Sequence, residues 1–288
     1  MANDLGISVL RSSKGAVVRS NDQLGVLYSG SLVNGDGTPF DANYDFNTFS
    51  VIPARQLFVF TVGSGQVIQG WDRALTGRRL GEVLELTIPA DQAYGSAGAP
   101  PSIPPDAPLR FRVELVGAVS AGESKAIYPS YVDLGLSKKL SKQLTALKTT
   151  ATVRKVGMDA DDRIIGGSTS DLLIGLAGRD LIEGGANADV LIGGPGRDRF
   201  VYTSLSDSPA RRGRQEELLG FQGARDKIDL SALGAAFTYV GKRTFSKAAG
   251  EVRFASGSLQ LDQDGDGRGD LELLLTGVNR FSASNLVF

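Results

Sequence analysis

The chain has 288 residues, enough for two domains of ordinary size, and contains neither cysteine nor histidine. This composition excludes a disulfide framework, thiol chemistry, histidine-based triads and most zinc sites. The formal net charge of −1 gives no global sign of nucleic-acid binding, and no apolar run approaches the roughly 20 residues of a membrane-spanning helix.

Residues 1–120 carry 9 basic and 11 acidic side chains. The opening MANDLGISVLRSSKG has no apolar h-region, so an export signal is expected elsewhere in an exported protein. The segments LGVLYSGSLV, LFVFTVG, EVLELTIPA and LRFRVELVGAV alternate as half-buried strands do, and one short helix is predicted around Gln69–Leu75. Residues 121–156 form a basic connector, with 7 basic and 2 acidic side chains. In it Val132, Leu136, Leu140, Leu144 and Leu147 recur at helical spacing beside Lys138, Lys139, Lys142 and Lys148. This predicts either a helix packed on a neighbour or one that meets a membrane surface or partner.

Residues 157–201 are five nine-residue units in unbroken register: GMDADDRII, GGSTSDLLI, GLAGRDLIE, GGANADVLI and GGPGRDRFV. Asp162, Asp171, Asp180, Asp189 and Asp198 hold the sixth position, and Ile164, Leu173, Ile182, Leu191 and Phe200 the eighth. The pattern G-G-x-G-x-D-x-U-x belongs to calcium-binding parallel β-helices, or β-rolls. The first turn positions are expected to need glycine for positive φ, and the eighth residues to stack inside. Each Asp offers a hard oxygen ligand suited to structural calcium. Turns two units apart share an edge, which pairs Asp162 with Asp180, Asp180 with Asp198, and Asp171 with Asp189. Residues 202–288 return to strand-like segments such as FVYTSL, KIDLSAL, EVRFA, SLQLD and LELLLTGV, expected to continue and cap the roll.

Several stretches of residues 24–118 have a joint likeness: VLYSG, TPFDANYD, LFVFTVG, QVIQGWDRAL, LTIPADQAYG, IPPDAPL and FRVEL. In this order and spacing they resemble the FKBP-type peptidyl-prolyl isomerases. The resemblance implies an α+β domain, an antiparallel sheet wrapped on a short helix, at residues 1–120. It implies a pocket floored by Trp71 and walled by Tyr28, Phe58, Val67, Ile68 and Phe111, with Phe40 closing one side. Asp41 would be a rim contact, Tyr94 a phenolic donor, the Ile68 N–H a second donor, and Ile103 part of the loop over the site. The chemistry needs no acid, base or cofactor. An X–Pro bond turns over a barrier of about 18–20 kcal/mol, which an apolar pocket lowers by stripping water from the planar dipolar amide. The chain between Phe40 and Phe58 is longer than in compact family members, and Ala99 and Ser102 replace bulkier residues.

After the repeats, RFVYTSLSDSP, GFQGARDKIDLSAL, LQLDQDGDGRGDLELLLTGV and the ending FSASNLVF resemble the C-terminal domain of serralysin-type secreted proteases. With no H-E-x-x-H present, proteolysis does not carry over. The resemblance implies an all-β domain at 157–288, a parallel β-roll with an antiparallel cap, that folds on calcium outside the cell. It also implies an uncleaved C-terminal signal for type I export machinery, although Asn285 stands where an acidic residue is common. Asp262, Asp264, Asp266 and Asp270 begin a calcium-type loop, but Leu273 replaces the glutamate of an EF-hand. The expected protein is a monomeric, extracellular or surface prolyl isomerase that acts on proline-containing peptides or proteins. The alternatives are a non-catalytic proline-binding or chaperone module, and an adhesive surface protein dominated by its roll.

Overall fold

The computed structural model describes residues 4–146, 153–234 and 236–288. It divides into two compact units, Met1–Ser137 and Lys138–Phe288.

In the first unit the strands are β1 (Gly6–Arg11), β2 (Gln23–Leu32), β3 (Pro39–Ala42), β4 (Tyr44–Asp45), β5 (Ser50–Val51), β6 (Phe58–Thr61), β7 (Val83–Ile88) and β8 (Leu109–Val119). The main sheet runs β1-β7-β8-β2-β3, and β6 also pairs with β2. All its pairings are antiparallel. Strict alternation gives the sheet two different faces. Leu109, Phe111, Val113 and Leu115 of β8 are buried in the core, while Arg110 is exposed and Arg112 and Glu114 are half-buried.

The predicted short helix is α1 (Gln69–Leu75), which buries Trp71, Ala74 and Leu75 in the core. Gly70 permits its close approach, because a Cβ there would strike the Ile88 side chain of β7. β2 pairs with β6 over Gln23–Val26 and with β3 over Ser29–Ser31, so its outer edge changes partner midway. The longer chain segment leaves at this break and forms the small β4–β5 hairpin. Its Tyr44, Phe46 and Phe49 are buried, and the first two rings meet edge-on at 4.9 Å.

The connector is less helical than its spacing predicts. The α2 helix covers Lys138–Ala146, whereas Val132 and Leu136 lie in hydrogen-bonded turns before it. Gly135, at φ 100°, breaks any helix that would join them. Lys138, Lys139 and Lys142 are exposed and Leu144 is buried. Leu147 and Lys148 lie outside the described residues. Val153–Val156, the end of the expected connector, is strand β9.

The second unit continues with β10 (Arg163–Gly167), β11 (Asp171–Ile174), β12 (Leu181–Gly185), β13 (Val190–Ile192), β14 (Arg199–Val201), β15 (Glu216–Leu219) and β16 (Lys227–Asp229). Then come β17 (Thr238–Gly241), β18 (Glu251–Ala255), β19 (Ser258–Asp262), β20 (Leu271–Thr276) and β21 (Leu286–Val287). One sheet is β10-β12-β14-β16-β21, parallel throughout. The other runs β17-β18-β19-β20-β15-β13-β11-β9. Its β20-to-β9 part is parallel, and β18–β19–β20 is antiparallel. Alternate repeats therefore feed alternate sheets. Ile164 pairs with Ile182, Ile182 with Phe200, and Leu173 with Leu191, and all five side chains are at most 1% exposed.

Asn285 is buried, and its amide donates to the Gly223 carbonyl at 2.6 Å while its Oδ1 accepts from the Ser282 N–H at 3.1 Å. An acidic side chain could not make the first of these bonds.

Candidate active site and candidate metal centre

On the core face of the first unit, the Trp71 ring is ringed by aromatic neighbours. Phe111 lies at 5.2 Å, Tyr28 at 5.4 Å, Phe60 at 5.7 Å and Phe58 at 6.1 Å between centroids. Phe40 meets Phe111 edge-on at 5.7 Å. Gly30 makes that contact possible, because a Cβ there would strike both the Phe111 and Phe40 rings. Val67 and Ile68 are half-buried against this cluster, just before α1. The Ile68 carbonyl accepts from the Trp71 N–H at 2.9 Å, and among the described residues no acceptor takes the Ile68 N–H. Ile103 is buried, held over the core by a reciprocal backbone pair with Ala99 at 2.8 and 2.9 Å. Tyr94 is 43% exposed and stands at the outer side.

The rim is tied by charge. Tyr28 donates its hydroxyl hydrogen bond to Asp41 Oδ2 at 2.5 Å, and Asp41 Oδ1 lies 3.8 Å from Arg55. Burial first, and then the bond to Asp41, push the Tyr28 phenol well above its ordinary range, so it stays a donor. Arg55 belongs to the long segment, which thus contributes to the rim. Asn43 anchors that segment. Its amide donates to the Val26 and Gln56 carbonyls at 3.1 Å each, and its Oδ1 accepts from the Tyr28 N–H at 2.6 Å.

In the second unit the aspartates of the repeats form two ladders. On one edge the Asp162 N–H donates to Asp180 Oδ1, Asp180 N–H to Asp198 Oδ1, and Asp198 N–H to Asp226 Oδ1, at 3.0–3.2 Å. On the other, Asp171 N–H donates to Asp189 Oδ1 at 2.7 Å. Asp171, Asp180, Asp189 and Asp198 are at most 2% exposed. Desolvation, followed by repulsion from neighbouring carboxylates, pushes Asp180, Asp189 and Asp198 up to about 7. Glu216 is fully buried and raised well above the carboxylate range by burial; its Oε2 accepts from the Tyr202 hydroxyl at 2.5 Å.

The family described as FKBP-type peptidyl-prolyl cis-trans isomerase matches residues 15–116, and the family described as peptidase M10 serralysin C terminal matches residues 148–288. The chain carries an FKBP-type domain followed by a serralysin-type C-terminal domain. The curated peptidyl-prolyl cis-trans isomerase FKBP2 of Mus musculus is 46% identical over 98 residues, 34% of this chain and 63% of the relative. FKBP2 of Homo sapiens is equally similar, over 62% of its length, and FK506-binding protein 4 of Dictyostelium discoideum is 45% identical over 24% of its length. The chain thus spans less than two thirds of each of these relatives.

Of the residues named from the resemblance, Tyr28, Phe58 and Phe111 meet the Trp71 ring, joined by Phe60, and Phe40, Val67, Ile68 and Ile103 pack on the same core. Asp41 is linked to them through the Tyr28 hydroxyl, and Tyr94 is exposed. Sequence reasoning did not single out Gly30 or Asn43. Gly30 left no signal beyond being a glycine in a strand, and an asparagine opening a long loop could have suggested an anchor.

In the serralysin-type domain the donor set fits a hard divalent cation such as calcium. Asp180 Oδ2, Asp189 Oδ2, Asp198 Oδ2 and Glu216 Oε1 are buried without a hydrogen-bond partner among the described residues. The glycines that open the units leave space at these oxygens. A Cβ on Gly175, Gly184 or Gly193 would strike the carboxylate of Asp180, of Glu216 and Asp189, or of Asp198. Within the turns positive φ falls on the second position, at Leu176, Gly185 and Gly194, and on the fourth, at Gly178 and Asn187, as expected for the turn positions, while the glycine at the first position is explained by this close approach instead. Asp226 and Glu216 extend the two ladders from outside the nine-residue register, which hid them.

In the 262–270 loop, Asp262, Asp264 and Asp270 approach one another within 4.8 Å, and Asp266 is not among them. Asp266 caps the Arg268 N–H instead, while both Asp262 oxygens accept from the backbone of Gly265 and Gly267. This turn satisfies much of its own acidic charge.

Proposed function

We propose that the FKBP-type domain catalyses cis–trans isomerisation of X–Pro bonds in peptides or proteins, using Tyr28, Phe40, Asp41, Phe58, Val67, Ile68, Trp71, Tyr94, Ile103 and Phe111. The observation that carries this reading is the aromatic ring around Trp71 with the unpartnered Ile68 N–H beside it. The prolyl ring enters on Trp71, and the aromatic walls exclude water from the amide. A planar amide is more polar than a twisted one, so loss of water raises its energy relative to the transition state. The Ile68 N–H holds a substrate carbonyl, and Tyr94 supplies a second donor at the outer side. Tyr28 keeps Asp41 at the rim without entering the chemistry. No proton is transferred and no covalent bond forms.

The serralysin-type domain is read as a calcium-stabilised β-roll. Asp162, Asp171, Asp180, Asp189 and Asp198, joined by Asp226 and Glu216, would hold the ions, whose charge offsets that of the buried carboxylates. The 262–270 loop is a weaker candidate. Likeness to a serralysin C terminus supports export by type I machinery and an extracellular or surface location, with the isomerase domain as cargo.

The test is isomerisation of a proline-containing tetrapeptide by the full chain in calcium. Acceleration that falls in Ile68→Pro and Trp71→Leu variants supports catalysis. Saturable peptide binding with turnover at the uncatalysed rate supports the non-catalytic proline-binding alternative.

A further inference from the structure

The two edges of the roll carry the same acidic ladder between different flanks. On one edge Arg163 follows Asp162, Arg179 precedes Asp180, Arg197 and Arg199 enclose Asp198, and Arg225 and Lys227 enclose Asp226. On the other edge Ser170 and Leu172 enclose Asp171, Ala188 and Val190 enclose Asp189, and Gln215 and Glu217 enclose Glu216.

Strand pairing stacks the cations of the first edge into two columns. Arg163, Leu181, Arg199 and Lys227 are in register across β10, β12, β14 and β16. Beside them Arg179 and Arg197 stack through the parallel bridge of Gly178 with Gly196. The bond from the Asp198 N–H to Asp226 brings Arg225 next in line.

Some of these cations are committed. Arg199 is bridged to Asp229 at 3.4 Å, and the Lys227 ammonium donates to the Ser284 carbonyl. Arg163, Arg179, Arg197 and Arg225 are exposed, and among the described residues their guanidinium groups have no hydrogen-bond or ion-pair partner. Nearby carboxylates are occupied elsewhere: Asp161 accepts from the Arg179 backbone N–H at 2.8 Å, and Glu183 from the Thr203 hydroxyl at 3.4 Å.

The fold does not require this stripe. Like charges stacked on neighbouring strands repel, and the second edge builds the same turns and ladder with Ser170, Ala188 and Gln215 in the equivalent places. Nor are Arg179 and Arg197 counter-charges for the ladder, since burial and neighbouring carboxylates still hold Asp180 and Asp198 raised. Exposed guanidinium forks in a row fit a row of carboxylates or sulfates.

The step between strands selects the partner. Neighbouring strands are about 4.8 Å apart, whereas side chains on one side of an extended peptide recur every ~6.6 Å. Phosphates advance roughly 3.4 Å along each strand of a duplex, and no aromatic side chain stands among these arginines to stack a base. A polysaccharide with one acidic group per sugar advances by a step close to the strand separation. We propose that this edge of the β-roll binds a linear acidic polysaccharide along Arg179, Arg197 and Arg225, with Arg163 at one end.

The experiment titrates the full chain, in calcium and low salt, with a galacturonic acid hexamer and with a heparin hexasaccharide, by calorimetry and amide NMR. Saturable binding of at least one is expected, weakened by added salt as exposed charge contacts are, with shifts at Arg179, Arg197 and Arg225. Binding of the first alone identifies carboxylate as the group read, and of the second alone sulfate; binding of both means that charge and spacing suffice. The combined Arg179→Gln, Arg197→Gln and Arg225→Gln variant should bind about tenfold more weakly or worse. An Arg211→Gln, Arg212→Gln and Arg214→Gln variant loses the same charge from an exposed loop and should bind as the parent does. A parental circular dichroism spectrum in calcium shows that each variant is folded, and the shifts in the parent locate the site without any variant. No saturable binding of either sugar overturns the proposal, as do shifts confined to Arg211–Arg214 or a stripe variant that binds no worse than the loop variant. Equal or tighter binding of hexaglutamate also overturns it and makes an acidic polypeptide the partner.

Discussion

Asn43→Ala tests how the long segment is attached. The substitution removes three hydrogen bonds, to the Val26 and Gln56 carbonyls and from the Tyr28 N–H. Each is worth about 1 kcal/mol net, and more where the abandoned partner stays dry. Asn43 is only 3% exposed, so water replaces it poorly. The loss is therefore about 3 kcal/mol, equivalent to roughly 10–20 °C in the melting of a domain of this size. Trp71 is the chain's single tryptophan, so its fluorescence follows the FKBP-type domain alone. The comparison is Asn47→Ala, an exposed residue of the same segment that uses its backbone N–H, not its side chain, to bond Asp45. That control is expected to move the transition by less than about 0.5 kcal/mol. If Asn43→Ala melts within about 3 °C of the control, Asn43 is not the anchor and the rim geometry has another origin.

Tyr28→Phe removes the bond to Asp41 and keeps the ring, so kcat/KM for a proline peptide is expected to fall about two- to tenfold with little loss of stability. Gly193→Ala places a methyl group on the Asp198 carboxylate; calcium-dependent gain of β-signal in circular dichroism should shrink, and a full parental response would contradict the cradle reading. Without calcium, the folded Asp180, Asp189 and Asp198 titrate near 7, whereas unfolded aspartate titrates near about 3.9. Between these values the folded state binds more protons, so stability of the chelated C-terminal half falls as pH rises from about 4 to 7. Denaturant midpoints that rise over this range in chelator would show the opposite sign and refute the assignment.

What the sequence made legible follows the kind of signal each feature leaves. The eighth-position stack was readable because one large apolar residue every nine leaves a period, and Ile164, Ile182 and Phe200 duly align across parallel strands. The pocket aromatics were readable as a set of motifs, not as a period. The connector misled because apolar spacing says nothing of Gly135, whose positive φ ends any helix there. Asp226 and Glu216 were hidden because the register breaks after Val201 and their alignment with Asp198 and Asp189 exists only in the coil. The arginine stripe was illegible for a related reason: Arg163 and Arg225 are far apart in the chain and share an edge only through strand pairing.

The two halves handle buried charge in opposite ways, and this yields the last prediction. In the FKBP-type domain Arg11 is 1% exposed, but its guanidinium reaches Glu114 at 2.5 Å and the Gly81 carbonyl at 2.9 Å. The counter-charge is part of the chain. In the C-terminal domain each nine-residue unit buries one large apolar side chain, worth roughly 1.5–3 kcal/mol. Four of the five units also bury an aspartate to 2% exposure or less, and three of those keep an unpartnered oxygen. An ionised carboxylate without a counter-charge costs several kcal/mol when buried, so the apolar stack alone does not carry the coil at neutral pH. The missing positive charge has to come from solution, as protons at low pH or as calcium. Chelation at pH 7.5 should therefore lower the transition followed by far-UV circular dichroism of the C-terminal half. The Trp71 fluorescence transition should stay in place. A chelator that leaves both transitions unmoved would mean that the aspartate ladders are stable as they stand, and one that moves both equally would mean that the halves do not unfold separately.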